Sequence, residues 1–194
     1  MAAEPQGEPA GAAQWVREAE SVDMAVYAAI AATPTPTLDR AMVRLTRAAD
    51  YSKLNLGCAL LLAATGGDAG RRSAQAGALA VAATSLVVNA FLKPLGRRRR
   101  PRRNAAGVPM ARRVRMPSSS SLPSGHTAAA FAFATGAGHV LPKAAPWLLA
   151  LATLVGYSRV HTGVHYPGDV VAGALVGTAV AQAAPRIANS ASER

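Results

Sequence analysis

SAQAGALAVAATSLVVNAFL, residues 73–92, carries no charged residue over 20 positions, about the length a helix needs to cross the hydrocarbon core of a bilayer. Read outward from it, the chain contains further apolar blocks of the same character. His126–Leu141, Ala144–Tyr157 and Asp169–Ala184 follow, separated by Pro, Gly and charged residues that mark their ends. Upstream, Leu54–Thr65 is apolar but short, so as a span it must borrow flanking residues or be covered by neighbours. The intervening GGDAGRR, residues 66–72, reads as a turn. Nearer the N-terminus, Trp15, Val22, Val26 and Ile30 keep helical spacing, but Arg17, Glu18, Glu20 and Asp23 break up any long apolar run. After TPTPT, Leu38, Met42 and Leu45 form one stripe and Arg40, Arg44 and Arg47 another, the pattern of a basic helix lying in a membrane interface.

The expected architecture is therefore all-α: a polytopic membrane helical bundle with about five transmembrane helices, preceded by N-terminal interfacial amphipathic helices. Residues 14–186 read as a single domain, and 1–13 and 187–194 as disordered tails. Gly173 and Gly177 have the small-xxx-small spacing that lets membrane helices approach closely. The 51% hydrophobic content includes only 5% aromatic residues, with Ala and Gly supplying much of the rest, so hydropathy is weak per residue. A lone cysteine, Cys58, excludes an intrachain disulfide and a cysteine-rich metal site. Lys and Arg number 21 against 10 acidic residues, for a net charge of +11, a balance suited to a phosphate-bearing partner.

Polar residues gather at particular block ends, in Lys93–Pro101, in Pro123–His126 and from Ser158 to Asp169. If the spans alternate in direction, all three clusters meet on one side of the membrane. Hydrolysis of a phosphate ester needs cations and backbone amides for the charged oxygens, a nucleophile in line with the leaving group, and an acid to protonate that group. Lys93, Arg100 and Arg159 supply cations, and the guanidinium fork suits phosphate. Ser124 and Gly125 open a helix whose free N–H groups and dipole attract an anion. His126 and His165 remain for proton and bond chemistry. The residues alone leave both open as nucleophile, although a histidine with Asp169 four positions on is the better activated.

Lys93-x6-Arg100-Pro101, then Pro123-Ser124-Gly125-His126, then Ser158-Arg159-x5-His165-x3-Asp169 resembles the type 2 phosphatidic acid phosphatase superfamily, which includes bacterial membrane lipid phosphate phosphatases. The resemblance spans Lys93 to Asp169, with all three motifs complete and in order. It implies that His165 attacks phosphorus to form a phosphohistidine, that Asp169 orients and charge-balances the imidazole, and that His126 protonates the departing lipid oxygen. Lys93, Arg100, Ser124, Gly125 and Arg159 would bind the phosphoryl oxygens, with no metal and no cofactor. His161 reads at best as a neighbour of the site and His139 as a helix-end residue.

The implied partner is a lipid phosphate in a bacterial plasma membrane. A nucleic-acid reading of the run from Arg97 to Arg103 lacks the interleaved aromatics that would stack bases, so no nucleic acid is expected. A basic membrane protein that grips anionic headgroups without catalysis is the alternative of another class. With five spans, 16 of the 21 Lys and Arg fall on the side of the three clusters, which puts the site at the cytoplasmic face by the positive-inside rule. An inward site suits phosphatidate, phosphatidylglycerophosphate or a polyprenyl-linked sugar phosphate such as decaprenylphosphoryl phosphoribose. An outward site would suit undecaprenyl diphosphate. The loop from Asn104 to Ser121 reads as a flexible lid, with Arg112, Arg113 and Arg115 as possible headgroup contacts.

Overall fold

The computed structural model of the chain describes residues 11–96 and 98–192, with Thr33–Thr35 separating its first two helices. The main helices are α1 (Ala12–Ala32), α2 (Pro36–Ala48), α3 (Lys53–Thr65), α4 (Gly67–Leu95), α5 (Gly125–Val140), α6 (Ala145–His161) and α7 (Pro167–Ser192). No strand occurs among the described residues. Pro36 opens α2, where its missing N–H has no intrahelical acceptor to lose.

The turn expected over GGDAGRR shrinks to two glycines. Gly67 sits at φ +55°, conformational ground that glycine enters without penalty, and the following Asp68 is already in the first turn of α4, where a carboxylate favours the helix dipole. A Cβ at Gly70 would lie 2.1 Å from the Leu62 carbonyl oxygen, so α3 and α4 cross tightly just past the turn. Near its other end α4 widens into a π-helical stretch, Val87–Leu92, which alters the aim of Lys93.

Helix α5 is the centre of the bundle, packed by α4, α6 and α7. Its buried residues are mostly alanines and glycines, among them Ala128, Ala132, Ala134 and Ala137. The opposing stripe of α4 is Ser73, Gly77, Ala80, Thr84 and Val88. Ser73 Oγ ties the two by donating to the Ala137 carbonyl at 2.9 Å. On the other side, a Cβ at Gly173 or Gly177 would meet the Ser124 or Ala128 carbonyl at 2.6 or 2.1 Å, so both glycines serve close packing of α7 on α5. Large apolar residues point outward instead: Leu60, Leu61, Leu79, Leu86, Phe91 and Leu175 are all exposed. Small residues inside and large ones outside is the distribution expected where lipid, not water, is the surrounding solvent.

Among the described residues one helix, Gly67–Leu95, is long and apolar enough, by length and composition, to cross a membrane. Helices α3, α5 and α6 have 13, 16 and 17 residues, so their apolar lengths fall short of a perpendicular crossing. At the C-terminus, the tail expected over 187–194 is instead helical through Ser192, an extension suited to its alanines. The expected N-terminal tail ends sooner than Ala13, since α1 starts at Ala12, and the rest of it lies outside the described residues.

The N-terminal helices do more than coat an interface. The arginine stripe of α2 is exposed as expected, but its buried face carries Asp39, Met42 and Thr46, and α1 buries Asp23 beside Tyr27. These polar groups engage the loop and the ends of α6 and α7. The loop after α4 differs correspondingly from a flexible lid. Arg112 is completely buried: its guanidinium donates to Asp39 Oδ1 at 2.8 Å, to the Ile30 carbonyl at 2.8 Å and to the Thr33 carbonyl. Arg113 closes its own loop on the Val108 carbonyl and Asn104 Oδ1. A buried guanidinium with that many protein acceptors is a staple and has no donors left for a headgroup. Arg115 alone of the three is exposed and lines a cavity.

Candidate active site

His165 lies in the turn between α6 and α7, which Gly163 makes possible at φ +71°. Its ring is 2% exposed. Nδ1 is 3.4 Å from Asp169 Oδ2, and Nε2 is 3.1 Å from an Arg100 Nη1. Arginine has no acceptor, so Nε2 must present its lone pair and the proton sits on Nδ1, facing the carboxylate. That is the tautomer a nitrogen nucleophile requires.

Asp169 is in the first turn of α7 and fully buried. Besides the imidazole it accepts the Tyr166 backbone N–H at 2.9 Å, half of a capping box that locks the turn carrying His165 to the helix. Its other oxygen accepts from Arg98 at 2.9 Å and from Ser121 Oγ at 3.4 Å. Arg98 in turn reaches Asp23 on α1, and Asp23 accepts the Gly168 N–H at 2.6 Å. Burial works against the charge of Arg98, but the hydrogen bonds and charges of the two carboxylates on either side of it raise it above its ordinary value.

Burial is also the main influence on His165. It pushes the imidazole down to about 4, helped by the charges of Arg100 and Arg159 and opposed by the hydrogen bond to Asp169. Arg100 is held from several sides, donating to the Ser119 carbonyl at 2.9 Å, the Val164 carbonyl at 2.9 Å and the Ser120 carbonyl at 3.1 Å. Arg159, 2% exposed in the last turn of α6, donates to Thr46 Oγ1 on α2, while its buried Nε has no partner. A buried guanidinium donor without a protein partner, among other cations, is a group that an anion's oxygen would satisfy.

At the start of α5, the Ser124 N–H donates to the Asp169 carbonyl at 2.9 Å and so joins two of the motifs directly. Ser124 Oγ pairs with Thr127 Oγ1 at 2.8 Å. The amides of the first turn, from Gly125 onward, are left free for a ligand. Lys93 Nζ lies 3.5 Å from where a Cβ on Gly125 would be, so the ammonium reaches the start of α5. His126 stands a residue further on, with Nε2 2.9 Å from Asp50 Oδ1. It lines two cavities, one with Lys93 and Gly125 and the other with Asp50, Arg115 and Arg159.

The eight motif residues thus converge from α4, its following loop, α5, α6 and α7. The cluster also holds residues that motif reading misses: Asp23, Thr46, Asp50 and Arg98. The first three come from segments without any motif: Asp23 and Thr46 are buried polar groups in otherwise exposed helices, and Asp50 stands partly exposed in the turn after α2. Arg98 sits inside the basic run, where spacing cannot separate it from Arg97 or Arg99. His161 is not in the cluster. Its Nε2 is 2.8 Å from Asp39 Oδ1, next to Arg112. His139 is exposed at the far end of α5.

The fold is that of known membrane phosphatases. A transmembrane PAP2-type phosphatidylglycerolphosphate phosphatase from Bacillus subtilis superposes with a TM-score of 0.65 at 24% identity, covering 89% of this chain and 87% of that one. LpxE from Aquifex aeolicus also gives a TM-score of 0.65 at 24% identity, covering 85% of this chain and 95% of that one. In sequence, the undecaprenyl-diphosphatase of Sulfolobus acidocaldarius is 46% identical over 66 residues, 32% of this chain. The match spans 31% of that relative, about a third of its length. The family model of the PAP2 superfamily matches residues 75–192, more than half of the chain and all eight motif residues, and the chain belongs to that superfamily.

Proposed function

We propose that this protein is a membrane-embedded, metal-independent phosphatase that hydrolyses a lipid phosphate monoester through a phosphohistidine at His165. The observation that carries the reading is the buried His165 ring, proton toward Asp169 and lone pair toward the arginines, with His126 on the wall of the adjoining cavities. His165 Nε2 attacks phosphorus, and the bond from phosphorus to the lipid oxygen breaks. The electron pair leaves on that oxygen and is met by a proton from His126, while Asp169 balances the charge developing on the His165 ring. Water then attacks the phosphohistidine and gives a proton to His126, and phosphate departs as the P–N bond breaks. Lys93, Arg100, Arg159, Ser124 and the Gly125 amide hold the phosphoryl oxygens throughout. Asp50 fixes the orientation of the His126 ring and supplies a counter-charge to it. A phosphate-release panel of phosphatidate, phosphatidylglycerophosphate and a polyprenyl-linked sugar phosphate, with EDTA present, tests the reading. Turnover of none of them, or turnover only with added metal, would overturn it.

The pH dependence has a definite sign. A nucleophilic imidazole must be neutral, and His165 takes up its proton only at about 4. The acid limb of kcat/KM due to this residue is therefore expected near 4, not at the ordinary histidine value of about 6.5. The unfolded chain protonates this residue first, so between those two values falling pH also weakens the fold. A pH–rate profile with its acid limb due to His165 near 6.5 would contradict the burial argument.

For orientation, the reading is a site at the cytoplasmic face of a five-span chain, supported by the excess of Lys and Arg on the side of the motifs. Reporter fusions at the C-terminus are expected to report an external position, and a cytoplasmic C-terminus would refute the model. A second reading, hydrolysis of undecaprenyl diphosphate at an outward-facing site, is favoured by the activity for which the Sulfolobus relative is named.

A further inference from the structure

Two cavities run end to end from His126 into the helices. The first, about 200 Å³, has Lys93, Gly125 and His126 at its head. Its walls carry an unusual set of uncharged polar side chains for the flank of a membrane helix: Asn55 from α3 and Thr84, Ser85 and Asn89 from α4. The second, about 150 Å³, shares Ser52 and Asn55 with the first and is otherwise apolar, lined by Leu56, Ala59, Ala78, Val81 and Phe133. Asn55 and Ser85 are partly buried, Thr84 is buried and Asn89 is exposed, and a buried polar side chain is costly unless it bonds something. Interhelical bonding does not account for them. Thr84, 1% exposed, has no partner at all for Oγ1, not even the carbonyl one turn back, and the Asn89 amide donates within its own helix to the Ser85 carbonyl at 2.9 Å. Beyond Lys93 and the proton-donating His126 at its head, the walls of the first cavity carry no cation.

Reading from the phosphate site inward, the protein therefore offers cations, then neutral hydrogen-bonding groups, then an apolar cleft. We infer that the cavity lined by Asn55, Thr84, Ser85 and Asn89 is a leaving-group subsite for an uncharged, oxygen-bearing segment, a glycerol or a sugar, lying between the scissile phosphate and the hydrocarbon chain. This rests on the phosphatase reading above and sharpens it. A prenyl alcohol bonded directly to the phosphate brings no oxygens to these side chains, and a diphosphate brings an anion to a stretch without further cations.

The test compares kcat/KM for dioleoyl phosphatidate, an alkyl glucoside 6-phosphate and farnesyl phosphate in wild type, Thr84→Val and Asn55→Leu. The ratio of the oxygenated substrate to farnesyl phosphate is expected to fall about fivefold in each variant, the scale of one lost neutral hydrogen bond. A fall confined to phosphatidate assigns the subsite to glycerol, and one confined to the glucoside assigns it to a sugar. Thr84→Val should melt at or above the wild-type temperature, because a buried hydroxyl without a partner is replaced by a methyl of the same shape. Ratios unaltered in both variants, or a clear loss of stability in Thr84→Val, overturn the subsite while leaving the phosphatase standing. Failure of the wild type to release phosphate from all three overturns both.

Discussion

His165→Ala is expected to lower kcat/KM for phosphate release by on the order of 10⁴-fold or more, the scale seen when a covalent nucleophile is removed. The size of the effect follows from how little else could replace the ring. His126 has its Nε2 engaged by Asp50 at 2.9 Å, and the remaining groups around the phosphate are cations that bind but do not attack. The fold should survive the change, since the ring's partners, Asp169 and Arg100, each keep several other bonds. Rapid acid-sensitive labelling of the wild-type chain by a ³²P-phosphoryl lipid, absent from His165→Ala, is the accompanying signature. Retained turnover in the variant would remove the phosphohistidine from the mechanism and leave a water-based hydrolysis or a lipid-binding role.

Arg112→Ala is expected to cost about 3–5 kcal/mol of folding stability, the usual result of removing one member of a buried ion pair. Burial by itself would raise the Asp39 carboxyl, but hydrogen bonds from Thr35 and His161, together with the Arg112 charge and hydrogen bond, hold it below the usual carboxylate range. Deleting the guanidinium leaves that carboxylate with fewer donors in a closed site and strips a donor from the carbonyls of Ile30 and Thr33. Since a domain of this size has only some 5–15 kcal/mol in all, the variant should unfold well below the wild-type temperature in detergent. Arg112→Lys should not rescue it, because a single ammonium cannot reach acceptors spread around a planar fork. A variant that melts normally yet loses affinity for anionic lipids would restore Arg112 to the headgroup, where the length of the loop first suggested it.

Much of this protein is legible without coordinates, for a physical reason. Helix type and approximate limits follow from local apolar periodicity, and the candidate site residues follow from three motifs whose residue types suit phosphate chemistry. Lys93, Arg100, Ser124, His126, Arg159, His165 and Asp169 could be set apart because each sits at a fixed offset from a proline, a glycine or another polar residue at the end of an apolar block. The Gly173 and Gly177 spacing likewise pointed to close packing before the Ser124 and Ala128 carbonyls were seen against them.

Groups whose partners are distant in sequence could not be found that way. Asp50 reaches His126 across 76 positions, Arg98 reaches Asp23 across 75, and Arg112 reaches Asp39 across 73. No periodicity or offset encodes such pairs, because they exist only once α1 and α2 have folded against the loop. The same holds for Thr84, an ordinary residue in the very stretch that first identified the membrane helix. Local sequence determined that residues 73–92 form an uncharged helix. Only tertiary packing, by burying the Thr84 hydroxyl without a partner, decided which of its residues line the cavity beside Lys93 and His126.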